Sequence, residues 1–193
     1  MILREDLQLI ADLVEPGSKV LDVGCSHGEL LEYLIEKKNI DGRGIDLSQA
    51  NVSDCVKKGL SVIQGNADTD LKFYPDSCFD YIISSHMLQA TLYPKQVLQE
   101  MIRISKQTIV SIPNFGYWYN RLYLTVRGRM PVSKSLSYEW YETPNIHFCT
   151  VRDFKILCAD LGYKIKQQVF LGSGAAIYPN LFSLNAIFLL VKK

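Results

Sequence analysis

No cysteine or histidine of this 193-residue chain is arranged to hold a metal or a redox centre. The five cysteines (25, 55, 78, 149 and 158) are odd in number and contain no C-x-x-C, which argues for reduced thiols in a cytoplasm. Small, buried apolar roles account for them. The three histidines (27, 86 and 147) have no zinc-ligand spacing, so no metal site is expected. Charge of one sign is also missing. With 21 basic and 20 acidic residues the net charge is +1, which leaves no electrostatic footprint for nucleic acid or an anionic membrane. Long apolar runs are absent, and Ala186–Val191 is far too short to span a bilayer. Met1–Asp12 shows no charged-then-apolar leader. No repeat, low-complexity tract or interdomain linker interrupts the chain, so a single domain over 1–193 is expected.

The most informative stretch is Lys19–Gly28, Lys-Val-Leu-Asp-Val-Gly-Cys-Ser-His-Gly. A short apolar strand meets a carboxylate at Asp22. A turn carrying Gly24, Cys25 and Gly28 follows, and a helical pattern begins at once. Glycine lets backbone N–H groups approach a ligand, because no Cβ stands in the way. Asp22 lies at the carboxyl end of its strand, where ligands bind in open α/β sheets. Gly44-Ile-Asp-Leu47 comes about two dozen residues later and places Asp46 to accept hydrogen bonds from ribose hydroxyls. A dinucleotide fold needs G-x-G-x-x-G, but Ser26 and Glu29 stand where its second and third glycines belong. Glu29 at the helix opening would repel a pyrophosphate. A ligand without phosphate and with a cationic amino group suits Asp22 better.

Periodicity supplies the rest of the frame. Helical patterns cover Glu5–Glu15, Glu29–Lys38, Ser48–Lys58, Pro94–Ser105 and Thr150–Leu161, the last opened by the capping box Thr150-x-x-Asp153. Strands are predicted at Lys19–Gly24, Arg43–Leu47, Leu60–Gln64, Phe79–Ser85, Thr108–Pro113, Lys164–Leu171 and Leu184–Lys192. The Gly172–Ser183 connection contains Gly172, Gly174 and Pro179, which disfavours a crossover helix. The last two strands therefore most simply pair antiparallel.

Glycine turn, strand-tip carboxylates and strand pattern together resemble the class I S-adenosylmethionine-dependent methyltransferases. That resemblance implies an α/β fold, a Rossmann-like three-layer sandwich whose mostly parallel sheet ends in an antiparallel pair. It implies S-adenosylmethionine or S-adenosylhomocysteine as cofactor. The binding residues it points to are Asp22, Gly24, Cys25, Gly28, Asp46, Leu47, Asn66, Ala67 and Ser84. Leu47 would pack on the adenine, Asn66 would accept from its exocyclic amine and the Ala67 N–H would meet a ring nitrogen. Asn66 is equally an ordinary turn residue. Ser84 and His86 end the strand that lies beside the methyl donor in such folds. His86 is the weak candidate for a catalytic base, because a sulfonium methyl is already electrophilic and alignment alone can suffice. No catalytic role is assigned to His27.

Between the fifth strand and Thr150 lies an insertion at about 114–149, with both tryptophans, many tyrosines and Arg121, Arg127 and Arg129. A segment this long is usually functional. Its composition suits a lid or a partner-binding surface, with Trp118, Arg121, Arg129 and Trp140 as candidates. The aromatics can equally anchor a long loop on the core. The runs Ile109–Trp118, Gly128–Val132, Tyr138–Tyr141, Thr143–Phe148, Gly59–Gly65 and Ala67–Leu71 resemble the MetW family of methionine-biosynthesis proteins. The resemblance implies association with, and support of, homoserine O-acetyltransferase. The chain departs from the family's pattern at Ser26, His27 and Asn66. A methyltransferase acting on an unidentified small molecule or protein remains the alternative, and no acceptor motif is present.

Overall fold

A computed structural model describes residues 3–133 and 136–192. Met1, Ile2, Lys134, Ser135 and Lys193, which the single-domain expectation spans, lie outside the described residues. In chain order the elements begin α1 (Glu5–Asp12), β1 (Lys19–Val23), α2 (Glu29–Lys38), β2 (Asp41–Asp46), α3 (Gln49–Lys57), β3 (Ser61–Gln64) and α4 (Ala67–Asp70). They continue with β4 (Phe79–Ser85), α5 (Pro94–Ile104), β5 (Ser105–Pro113), α6 (Trp118–Arg127), α7 (Val151–Asp160), β6 (Lys164–Leu171), α8 (Pro179–Phe182) and β7 (Asn185–Val191).

Seven strands form one sheet in the order β3-β2-β1-β4-β5-β7-β6. The first five run parallel. β7 is antiparallel to both β5 and β6. This is the mostly parallel sheet with an antiparallel end that the sequence implied. The Gly172–Ser183 connection holds only the one-turn α8 and no crossover helix. Gly172 sits at φ +137, where an added Cβ would lie 2.4 Å from the Phe182 carbonyl oxygen, so the chain folds back tightly.

Side-chain alternation divides the core between the two faces of the sheet. On one face Val20, Tyr81, Ile83, Ile109 and Leu189 meet α1, α2 and α3 through Ile10, Leu31, Leu34 and Cys55. On the other, Leu21, Ile82, Val110 and Phe188 meet α5 and α7 through Leu98, Met101 and Phe154. β4 therefore reads as a continuous apolar run, because both of its faces are covered. Each such side chain contributes about 1.5–3 kcal/mol by leaving water.

Local signals fix the helix ends. Thr150 Oγ1 accepts from the Asp153 N–H, and the Asp153 carboxylate accepts from the Thr150 N–H, so the capping box forms. Ser48 Oγ accepts from Asn51 N to cap α3. α1 stops at Asp12 rather than reaching Glu15. Lys38 Nζ then donates to the Ala11 and Val14 carbonyls at 2.6 Å each, which satisfies groups the helix end leaves open.

The insertion is more ordered than its composition suggests. It contains α6, and it is stapled at its root by Asn114, which is fully buried. Asn114 Nδ2 donates to the Ser183 carbonyl at 2.8 Å. Its Oδ1 accepts from Gly116 N at 3.0 Å and Val151 N at 3.3 Å. One side chain thus ties the end of β5 to the β6–β7 connection and to the start of α7.

Candidate functional site

β1 is flanked by β2 on one side and β4 on the other, so the switch point of the sheet lies at its carboxyl end, where α/β folds bind ligands. The turn that leaves β1 is built on left-handed residues. Gly24 has φ +75 and Gly28 φ +76, and Ser26 adopts φ +50. An added Cβ at Gly24 would lie 2.7 Å from Met87 Cγ, and one at Gly28 would lie 2.5 Å from Leu60 Cδ1. Both glycines are therefore required by space as well as by conformation. Ser26 follows the path a glycine would take, and its N–H donates to Asp46 Oδ2 at 2.7 Å.

Asp22 is 3% exposed, and no described group donates a hydrogen bond to its carboxylate. Burial, and then the neighbouring Asp46, pushes its pKa up to about 7. It lines a cavity of about 320 Å³ together with Gly24, Cys25, Ser26, Ser85 and Arg4. A buried carboxylate facing an opening with no donor of its own is stabilised by a cation that brings N–H groups. Burial pushes the Cys25 thiol well above its ordinary range, which removes it as a nucleophile.

Asp46 is buried beneath the same turn. Besides the Ser26 N–H, its carboxylate accepts from Ser48 N at 2.9 Å and Asn51 Nδ2 at 3.0 Å. With about four lone-pair directions, one remains for an outside hydroxyl. Leu47, next in the chain, is 67% exposed. Asn66 caps α4: its Oδ1 accepts from Asp68 N at 2.9 Å, and its own N–H donates to Asp70. No described group accepts from the Ala67 N–H.

The sequence-named residues thus fall into groups. Asp22, Gly24 and Cys25 line one cavity, with Gly28 closing the turn beside it. Asp46, Leu47, Asn66 and Ala67 occupy the adjoining tips of β2 and β3 and do not line that cavity. Ser84 points to the opposite face of the sheet, fully buried and with no partner for its Oγ among the described residues. Its neighbour Ser85 is the residue that shares the wall with Asp22.

Two polar wall residues escaped the sequence reading. One is Ser85. The other is Arg4, whose guanidinium grips Asp6 at 2.6 and 2.9 Å. Arg4 also lines a second, larger cleft of about 1120 Å³, together with His86. His86 has φ +51, and its Nε2 lies 3.4 Å from Asp6 Oδ2. Burial opposes ionisation of Asp6, but the contacts from His86 and Arg4 more than offset it and hold the carboxyl well below the usual range. His27 is exposed, lies 3.6 Å from Asp54 and also lines the cavity that holds Asp22.

In the insertion, Trp118 is 41% and Trp140 69% exposed, and Arg129 faces solvent. Arg121 is already engaged, donating to the Gly116 and Asn180 carbonyls. It holds α6 against the β6–β7 connection.

The profile of the family described as methionine biosynthesis protein MetW matches residues 4–190. The chain belongs to the MetW family. A bifunctional methionine biosynthesis protein MetXA/MetW from Rhodopirellula baltica is 31% identical over 189 residues, which cover 92% of this chain and 30% of that protein. The MetW-family chain therefore spans less than a third of that relative. A demethylmenaquinone methyltransferase from Lysinibacillus sphaericus is 28% identical over 185 residues, covering 86% of this chain and 78% of that one. Among solved structures, an S-adenosylmethionine-dependent methyltransferase from Archaeoglobus fulgidus superposes with a TM-score of 0.73 at 17% identity. That match covers 97% of this chain and 91% of the other. The fold of this MetW-family member is thus the Rossmann-like class I methyltransferase fold.

Proposed function

We propose that this domain binds S-adenosylmethionine or S-adenosylhomocysteine, and that it associates with homoserine O-acetyltransferase and supports that enzyme in the cytoplasm. The observation that carries the cofactor reading is Asp22, a buried carboxylate without a donor at the mouth of the glycine turn. The ammonium of the ligand's amino acid moiety supplies the missing N–H groups there. Arg4 stands across the same cavity and suits the ligand's carboxylate. The free direction on Asp46 suits a ribose hydroxyl, and the Ala67 N–H and Leu47 suit the adenine. The Asn66 carbonyl oxygen already caps a helix and has one lone pair left for the exocyclic amine. Bound there, the sulfonium form would supply an electrophilic methyl group.

The partner reading rests on the Rhodopirellula relative, whose name joins MetXA and MetW in one chain. Fusing two proteins raises their effective concentration, which favours contact between them. Trp118, Trp140 and Arg129 of the insertion are exposed and have the chemistry of interface anchors. Arg121 serves that surface by holding α6 in place.

A methyltransferase proper is the second reading. The observation favouring it is the cleft next to the cofactor cavity, which places the Asp6–His86 pair beside the exit of β4. Calorimetry with S-adenosylmethionine and S-adenosylhomocysteine, repeated with the acetyltransferase present, separates the two. The partner reading expects cofactor binding, a stable complex and no methyl transfer to cell extract. Methyl transfer without complex formation would favour the second.

A further inference from the structure

The larger cleft contains polar groups that cofactor binding leaves unused. Gln89 is 6% exposed, and its Nε2 donates to the His86 carbonyl at 2.6 Å. A carbonyl only accepts, so the amide cannot be reversed and Oε1 must face the other way. That Oε1 is buried without a partner among the described residues. Asn185 opens β7 beside Pro113 of β5, and its Oδ1 is also buried with no partner among the described residues. Both side chains line the same cleft. Buried amide oxygens are nearly always paired in native proteins, so two orphans among the residues of one cleft point to donors supplied from outside the chain.

Among the described charged side chains of this cleft, Glu5 and Asp6 stand against the Arg4 guanidinium, and His86 adds a second positive charge only when protonated. Arg4 is already bonded to Asp6. Val169 and Leu171 of β6, on the same face of the sheet, supply an apolar wall for a carbon chain.

We propose that this cleft binds a small organic ammonium ion, whose N–H groups donate to Gln89 Oε1 and Asn185 Oδ1 beside the Asp6–His86 pair. Asp22 lines the other cavity and Arg4 is the one described residue shared by the two linings, so a titration without sulfonium ligand tests this site apart from the cofactor site.

The test is an NMR titration of the full-length, ¹⁵N-labelled protein near neutral pH, without any sulfonium ligand. Ethanolamine and 1,4-diaminobutane are the probes. Tetramethylammonium, which carries charge but no N–H, and ethylene glycol, which carries no charge, are the controls. The proposal expects at least one amine to shift the Gln89 and Asn185 side-chain amide signals saturably. The controls bind about ten-fold more weakly or worse, as does the amine to Gln89→Leu, since each loses a hydrogen bond to a charged group. Asn185→Leu, at a half-exposed position, gives the same loss if Gln89→Leu fails to fold. Asn185→Asp tightens amine binding. Absence of saturable shifts with both amines overturns the proposal. So do equal responses to ethylene glycol, which would mark the cleft as merely hydrated, and amine affinity that both leucine variants leave unchanged.

Discussion

Ser26 donates its main-chain N–H to the Asp46 carboxylate at 2.7 Å, and does so from a left-handed backbone conformation at φ +50. This contact ties the β1 turn to the tip of β2. It also explains how the turn keeps its path with a serine at this left-handed position. Serine tolerates this conformation at a modest cost, whereas a β-branched residue does not. Ser26→Gly should leave stability within about 1 kcal/mol, because relief of strain offsets the added freedom of the unfolded chain. Ser26→Val should cost about 1–3 kcal/mol. Urea unfolding of the two variants checks both values.

Gly24 leaves no such latitude. Its φ of +75 and the proximity of Met87 combine, so Gly24→Ala should destabilise by about 2 kcal/mol or more and push Met87 aside. Truncating Met87 in the same chain should recover part of the loss. Equal unfolding midpoints for Gly24→Ala with and without Met87→Ala would show that the clash is not the cause.

Asp22 predicts a pH-dependent stability of definite sign. The unfolded carboxyl ionises near its ordinary value, while the folded one keeps its proton up to about pH 7. Between those values the folded state binds more protons, so this group's contribution falls as pH rises. Below the unfolded value both states are protonated and no penalty exists. Above about 7 both are ionised and the penalty is complete. Asp22→Asn should therefore be more stable than the parent at pH 8, by an amount on the order of 2–4 kcal/mol, with the difference shrinking toward pH 4. Chemical denaturation of both proteins at several pH values gives the comparison directly.

Asn114 joins three separate segments through its buried amide. Asn114→Ala leaves the Val151 and Gly116 N–H groups and the Ser183 carbonyl without partners, which should cost about 2–4 kcal/mol. Hydrogen exchange should accelerate in α6 and α8, while the parallel half of the sheet, β1–β3, keeps its protection.

The sheet was legible from local signals alone. Gly44-Ile45-Asp46 reads as a strand tip, and Thr150-x-x-Asp153 as a cap, because their causes lie within a few residues. α6 was hidden for the opposite reason. Leu122, Leu124 and Val126 are exposed, so its apolar residues do not mark a core-facing stripe. The site was legible where a residue type announces itself, as at Asp22 and Gly24. Arg4 became visible only once α1 was placed beside β4. The choice between Ser84 and Ser85 depends on strand parity. Asp22 pairs in register with Ile83, and residues two apart share a face, so Ser85 joins Asp22 and Ser84 is turned away. That register between distant segments is not written in either segment alone.

On the function proposed above, Asp22 receives the ammonium of a sulfonium amino acid ligand, and calorimetric titration of S-adenosylmethionine into the parent protein and Asp22→Asn at pH 8 reads that contact. One saturable site is expected in the parent, with an affinity about ten-fold to a hundred-fold lower in the variant. Equal affinity in the two proteins, or no binding heat in the parent at any ligand concentration tried, contradicts it.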